Sequence, residues 1–484
     1  MTSDNASPAH HLGLASHILI YGVVVSLVFG PSVLSLTRGS PAGTGPARPN
    51  IVLIVTDDQR WDIALTRFMP RMSARFMPGV NAVTFDQAFI TDPVCCPSRV
   101  SILTGDYPST TGVFANEGRF TGPGGTGGGG FNAFNDDPAV NPTIAVDLQD
   151  AGYTTMLVGK YLNHYDPTTM SRYVPPGWDH WFATDGGAYY NYPVATGDGV
   201  RWFGDRPQDY SSRVLANTAD RFVSSSSADG TPFFLYLAPT APHLPAVPAP
   251  QDRGRFRRAV SRYRDPASVG KQNNSLHPTM GRPIRWTPRT HAEIDAFHER
   301  QLEALYSLDR ALARLWATLP ANTIVLFTTD NGMLWGEHGL VGKGVPYNEV
   351  IRAPMMLGTA GVALPQVRTD RIALNIDIRP TLDSYAGLSP STDGKSWTDP
   401  TWERRWFVIE DWEARHDETF CGIRGDTFTY GRYGTGDEVL YNERRDPAEL
   451  TNLALDPSPA LRHVRAVARI LCTQGEIYPP DWPF

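Results

Sequence analysis

The side chains with the clearest chemical potential in this chain fall in a few short tracts. Asp57-Asp58 directly follows the apolar run 50–56, and Asp330-Asn331-Gly332 follows another, 323–328. Adjacent carboxylates repel unless a cation holds them together. Carboxylate and amide oxygens suit a hard ion such as Ca2+, with Mg2+ the alternative. Taken alone, an Asp-Asp pair fits a solvated loop equally well. Cys95, in Cys95-Cys96-Pro97-Ser98-Arg99, is a potential nucleophile, although an isolated cysteine is more often structural. Lys160, His243 and Lys343 each stand in a Gly- or Pro-containing tract. They offer the charge and donors that hold an anion, yet each alone reads as readily as a surface lysine or a core histidine.

Together these tracts carry more information. Cys-x-Pro-Ser-Arg at 95–99 with Thr104-Gly105 downstream is similar to the signature of type I, formylglycine-dependent sulfatases. The resemblance runs from Arg48 to about Asn452. It implies an alkaline-phosphatase-like fold and oxidation of Cys95 to formylglycine by a separate generating enzyme. The chemistry is self-consistent: an aldehyde hydrates to a geminal diol, one hydroxyl attacks sulfur, and the second expels sulfate. The resemblance also implies a metal site of Asp57, Asp58, Asp330, Asn331 and the Cys95-derived hydroxyl. Arg99 would orient that side chain and the carboxylates, while Lys160, His243 and Lys343 would contact the sulfate. Cys96 reads as a bystander. The tract Gly159-Lys160-Tyr161-Leu162-Asn163-His164 replaces the more frequent Gly-Lys-Trp-His and is similar to the N-acetylglucosamine-6-sulfatase branch, as are the doubled cysteine and the ending Leu471-Cys472 with Pro479-Pro480. Either Asn163 or His164 could hold the base position, and Glu337 and His338 flank the site without an assigned role.

Such groups need a rigid frame. The runs 50–56, 154–158, 233–237 and 323–328 are apolar and rich in β-branched or aromatic residues, as expected of strands buried on both faces. Between them lie helical patterns such as 299–319, with Leu302, Leu305, Tyr306, Leu312 and Leu315 on one stripe. The alternation predicts a mixed, mostly parallel sheet flanked by helices, with ligands gathered beyond the carboxyl ends of its strands. The glycine-rich tract 122–130 reads as a mobile loop, and 251–289 as a long basic insertion. Beyond Gly387, Trp- and Tyr-rich segments with turn signals suggest a smaller antiparallel subdomain. The expected organisation is a leader at 1–49, a catalytic domain at 50–387 and a C-terminal subdomain at 388–484.

Composition sets the remaining bounds. Apolar residues at 41% against 19% charged ones predict a packed globular protein. The net charge of −7 argues against nucleic acid as a partner. The stretch 18–36, followed by a Gly/Ser/Pro-rich linker, resembles a signal peptide with small residues near 40–42. It is also near the lower length limit for a membrane anchor. Either reading places the folded part outside the cytoplasm, secreted or anchored, and there Cys421 and Cys472 could pair.

The expected activity is sulfate ester hydrolysis on a sulfated carbohydrate or aryl sulfate. The competing readings are a phosphoester or phosphonate hydrolase of the same superfamily and a non-catalytic sulfoglycan-binding protein with Cys95 unmodified.

Overall fold

The computed structural model describes residues 48–76, 82–122, 125–135, 142–257, 259, 287–359, 369, 371–412, 419–455 and 458–474. The leader stretch 18–36, most of the basic insertion and Pro479-Pro480 lie outside the described residues.

Among the described residues the central sheet has nine strands: β1 (Asn50–Thr56), β2 (Ala82–Thr84), β3 (Thr154–Lys160), β4 (His180–Thr184), β5 (Tyr192–Ala195), β6 (Val200–Phe203), β7 (Phe233–Ala238), β8 (Thr323–Thr329) and β9 (Met356–Thr359), in the order β6-β5-β4-β3-β7-β1-β8-β9-β2. The inner five, β4-β3-β7-β1-β8, run parallel. Antiparallel pairing takes over towards both edges. The four apolar runs of the sequence are β1, β3, β7 and β8, four of these five strands, and the reason is visible in their burial. Val52 and Ile54 of β1 enter one core with Val158, Leu235 and Val325. The alternate residues Ile51, Leu53 and Val55 enter the opposite core with Leu157, Phe234 and Leu326. A strand covered on both faces has no solvent side on which to place polar residues. Each such aliphatic side chain contributes roughly 1.5–3 kcal/mol on burial.

Helices cover both faces. α1 (Cys95–Thr104) and α4 (Ile378–Tyr385) lie on the second core, and α2 (Ser211–Asp229) and α3 (Pro288–Ala311) on the first. The helix expected at 299–319 starts earlier, where Thr287 caps it by accepting from the Thr290 backbone N–H at 3.2 Å. It also breaks at Leu312, with Ala313–Thr318 continuing as a separate turn. The Leu302, Leu305, Leu312 and Leu315 stripe is nevertheless buried.

The glycine tract departs from expectation. Instead of a mobile loop, Arg119–Gly122 and Gly125–Gly129 pair as an antiparallel hairpin. Glycine is needed there for close approach. A Cβ on Gly129 would meet the Glu117 backbone N at 2.5 Å, and one on Gly130, at φ +71°, would meet Asn116 O at 2.6 Å.

A second, four-stranded antiparallel sheet follows: β10 (Trp406–Asp411), β11 (Phe420–Gly425), β12 (Phe428–Tyr433) and β13 (Glu438–Asn442). It packs with α5 (Pro459–Gln474) around Ile409, Ile423, Tyr430, Val439, Leu461, Val464 and Leu471. A Cys421–Cys472 disulfide joins β11 to α5.

Candidate active site

The parallel strands deliver most of the predicted residues to one edge. Asp57 and Asp58 follow β1, Lys160 ends β3, His243 lies just beyond β7, and Asp330-Asn331 follow β8. Cys95 opens α1 and sits over the same edge. Asp58 holds a left-handed backbone at φ +62°, a strained conformation of the kind that concentrates at functional sites. Its N–H donates to Asp330 Oδ1 at 3.1 Å, which fixes the β1 loop against the β8 loop. Ser98 Oγ donates to the Asp330 carbonyl at 2.5 Å and ties α1 to that loop.

Charges alternate within the cluster. Lys160 Nζ donates to Asp57 Oδ2 at 2.7 Å. Arg99 bridges two carboxylates, with Nη2 at 3.3 Å from Asp57 Oδ2 and Nε donating to Asp330 Oδ2 at 2.9 Å. Lys343 Nζ donates to Asp58 Oδ1 at 2.5 Å and to Cys95 Sγ at 2.6 Å. His243 Nε2 stands 3.6 Å from Asp58 Oδ2. Its Nδ1 lies 2.8 Å from Leu244 O, so Nδ1 carries the proton there and Nε2 faces the cluster. Burial alone would push Asp57 up, but Lys160, His243 and Arg99 outweigh it and bring it down to about 2. Burial also opposes ionisation of Asp58, and the Lys343 and His243 charges prevail, holding it below the ordinary value. The Cys95 thiol is pushed up to about 12 by burial, against the pull of Lys160 and Lys343. An unmodified Cys95 is therefore a protonated thiol and a poor nucleophile.

The cluster could hold a metal ion. One ligand atom from each of Asp57, Asp58, Cys95 and His243 lies within 4.8 Å of the others. The Lys343 ammonium already acts as a stand-in ion among Asp58, Cys95 and Asn331, with Nζ 3.4 Å from Asn331 Oδ1. Asp330 is more committed. Its Oδ1 accepts from two backbone N–H groups and its Oδ2 from Arg99. Asn331 turns its Nδ2 to Asp58 Oδ1 at 2.6 Å, and a flipped amide would present oxygen at that place.

The two candidates for the base position diverge. His164 is half-exposed and faces Glu117, Nε2 to Oε2 at 3.1 Å. Asn163 Oδ1 is buried with no hydrogen-bond partner among the described residues. Sequence reasoning missed two supports. Asn116 Oδ1 accepts from the Cys96 N–H at 2.9 Å, at the buried amino end of α1. Gly186, at φ +81°, lets the Lys160 stem pass, since a Cβ there would meet Lys160 Cδ at 2.3 Å. Neither residue belongs to a recognisable motif, so only the folded contact shows its part.

Comparison with known proteins agrees with this geometry. The family model described as Sulfatase matches residues 49–388. The chain is 31% identical over 353 residues to a putative extracellular sulfatase Sulf-1 homolog of Caenorhabditis elegans, covering 70% of this chain and 47% of that protein. It is 31% identical over 380 residues to human N-acetylglucosamine-6-sulfatase, covering 74% of this chain and 65% of the relative. The chain thus spans about half to two thirds of the length of these curated relatives. Among solved structures, a protein bound to its substrate D-glucosamine-2-N,6-O-disulfate superposes with a TM-score of 0.67 at 20% identity, over 88% of this chain and 98% of that one. That likeness shows the fold, which is alkaline-phosphatase-like.

Proposed function

The chain belongs to the sulfatase family, and from that premise we propose that it hydrolyses sulfate esters, with sulfated sugars as its substrate class. The observation that carries this reading is the ring of Lys160, His243, Lys343 and Arg99 around Cys95 and the buried aspartates. Two lysines and an imidazole converging on one nucleophile position suit a substrate that arrives as an anion and leaves more negative still. The sugar class is supported by the N-acetylglucosamine-6-sulfatase relative and by the glucosamine disulfate of the solved structural neighbour.

Asp57 and Asp58, with Asp330 and Asn331 behind them, would hold Ca2+, or Mg2+ in its place. A bound divalent ion supplies positive charge that acidifies an attacking hydroxyl and offsets the charge of the sulfate oxygens. Cys95, matured by a formylglycine-generating enzyme, would supply a hydrated aldehyde as nucleophile in place of the protonated thiol. The chain's own residues do the rest. Arg99 holds Asp57 and Asp330 in register. Lys160 and Lys343 stay cationic, because burial favours proton loss but Asp57 and Asp58 respectively outweigh it. They can turn from their carboxylates towards a sulfate. His243, whose Nδ1–H donates to Leu244 O, presents Nε2 to the cluster, and only as the imidazolium would it have an Nε2 proton to give to the leaving oxygen. In this reading residues 50–387 form the catalytic part and 388–484 a smaller subdomain beside it.

Export is part of the proposal. The Cys421–Cys472 disulfide fits an oxidising compartment, and the nematode relative is named as extracellular. Among the described residues no helix is long and apolar enough to cross a membrane.

The test has two readouts. Peptide mass spectrometry across 94–99 should show Cys95 as the aldehyde, and the same preparation should turn over an aryl sulfate faster than the matched aryl phosphate. An unmodified thiol in a preparation that binds sulfated glycans without turnover would make the chain a binder. A reversed preference would make it a phosphoester or phosphonate hydrolase.

A further inference from the structure

A second group of potential ligands lies away from Cys95, where the segment after β8 meets the C-terminal sheet. His338, Glu349 and Glu449 are buried, and one ligand atom from each lies within 4.8 Å of the others. They come from distant places in the chain. His338 lies in the turn before Lys343, Glu349 in the short helix Asn348–Ile351, and Glu449 in the turn after β13. His338 is 2% exposed, and its ring lies flat on Tyr347 with centroids 3.7 Å apart. The stack fixes the plane of the imidazole. Its Nε2 is 3.7 Å from Glu349 Oε2.

These atoms are poorly satisfied. Both ring nitrogens of His338, Oε2 of Glu349 and Oε1 of Glu449 are buried with no hydrogen-bond partner among the described residues. The other Glu449 oxygen accepts from the Asn348 N–H at 2.9 Å. Buried polar groups are nearly always paired, and an unpaired buried charge is costly. The neighbouring guanidiniums are occupied elsewhere. Arg60 serves Asp62 and Glu337, and Arg424 serves Glu443 and the carbonyls of Gly425 and Phe428. Glu449 is pushed well above the ordinary carboxylate range by burial and by Glu443 and Glu349.

We propose that His338, Glu349 and Glu449 form a second metal site, for a divalent transition ion of the zinc class, which clamps the C-terminal sheet to the segment carrying Lys343. Two carboxylates and a neutral imidazole balance a divalent charge. The nitrogen donor distinguishes this set from an all-oxygen calcium site. Zinc bonds of about 2.0–2.2 Å put neighbouring donors roughly 3.3–3.6 Å apart. The His338–Glu349 pair is nearly at that spacing, and rotation of the Glu449 carboxylate would close the set. The role is structural, because three buried ligands leave little room for substrate.

The experiment uses the full chain, stripped with chelator and titrated with Co2+ as a visible probe. The proposal expects a Co2+ equivalent with d–d absorption that survives Asp58→Asn but is lost in both His338→Gln and Glu449→Gln. It also expects zinc to raise the Tm of the unsubstituted chain by several degrees and to leave those two variants unmoved. Retention of that equivalent in His338→Gln and Glu449→Gln overturns the site. So does an unsubstituted chain that binds no transition ion beyond what Asp58→Asn removes, a result that needs neither of the other variants to fold. Because metal content and Tm are read instead of turnover, failure here leaves the sulfatase reading untouched.

Discussion

Two buried clusters of carboxylates lie at opposite ends of the segment 336–343. Around Cys95, each aspartate has a cation of the chain beside it: Lys160 and Arg99 for Asp57, Lys343 for Asp58, Arg99 for Asp330. Around His338, two glutamates share one imidazole, with no lysine or arginine bonded to either among the described residues. The residue types are nearly the same, but the built-in counter-charge differs. In the first cluster the cations belong to the chain itself, two lysine ammoniums and the Arg99 guanidinium. The second has the His338 imidazole between its carboxylates, with the Arg60 and Arg424 guanidiniums acting from farther off. The pair Asp147 and Asp383 falls between, since both lean on Arg379, at 2.7 Å and 3.6 Å respectively. Buried carboxylates are therefore informative mainly through what neutralises them.

The largest test of this contrast is removal of the nucleophile. Cys95→Ala should cut kcat for an aryl sulfate by roughly 10,000-fold or more, as loss of a covalent nucleophile does. The Tm should stay near its starting value, because the charge pairs remain. Substantial residual turnover, checked on protein free of contaminating sulfatase, would remove Cys95 from the mechanism.

A smaller effect is expected from the two lysines. Lys160→Ala and Lys343→Ala should each cost about 2–4 kcal/mol of transition-state stabilisation, and equally for aryl sulfates and sulfated sugars, since sulfate is common to both. Steady-state kcat/KM on the two substrate types measures this. A loss confined to the sugar would move these lysines from sulfate binding to sugar recognition.

The last test concerns Asp383, whose carboxyl is raised well above the ordinary range by burial and then by Asp147. Its folded form holds a proton that the unfolded form releases near pH 4. The associated stability is present below that pH and is lost as pH rises towards the folded value. Urea unfolding should show stability falling by up to about 1.4 kcal/mol per pH unit through that window. Asp383→Asn should flatten the slope, and an unchanged slope would assign it to other groups.

Much of this was legible in the chain itself. The apolar runs at 50–56, 154–158, 233–237 and 323–328 mark four of the five inner parallel strands, because burial on both faces leaves a continuous signal, while β4 was not read. The residues around Cys95 could be placed because they directly follow such runs, or sit in a helix that starts over the same sheet edge. Motif spacing survives in sequence when strand ends set the geometry.

What the linear sequence did not carry was every contact made between distant segments. Composition alone suggests that the tract 122–130 moves, yet its glycines are there so that a hairpin can press on Asn116 and Glu117. Gly186 has no motif, and its absent side chain makes room for Lys160. His338, Glu349 and Glu449 become a cluster only when the C-terminal sheet docks beside the catalytic segment. Local periodicity reports which residues are buried. Which buried charges meet depends on long-range packing, and no spacing within a single segment encodes it.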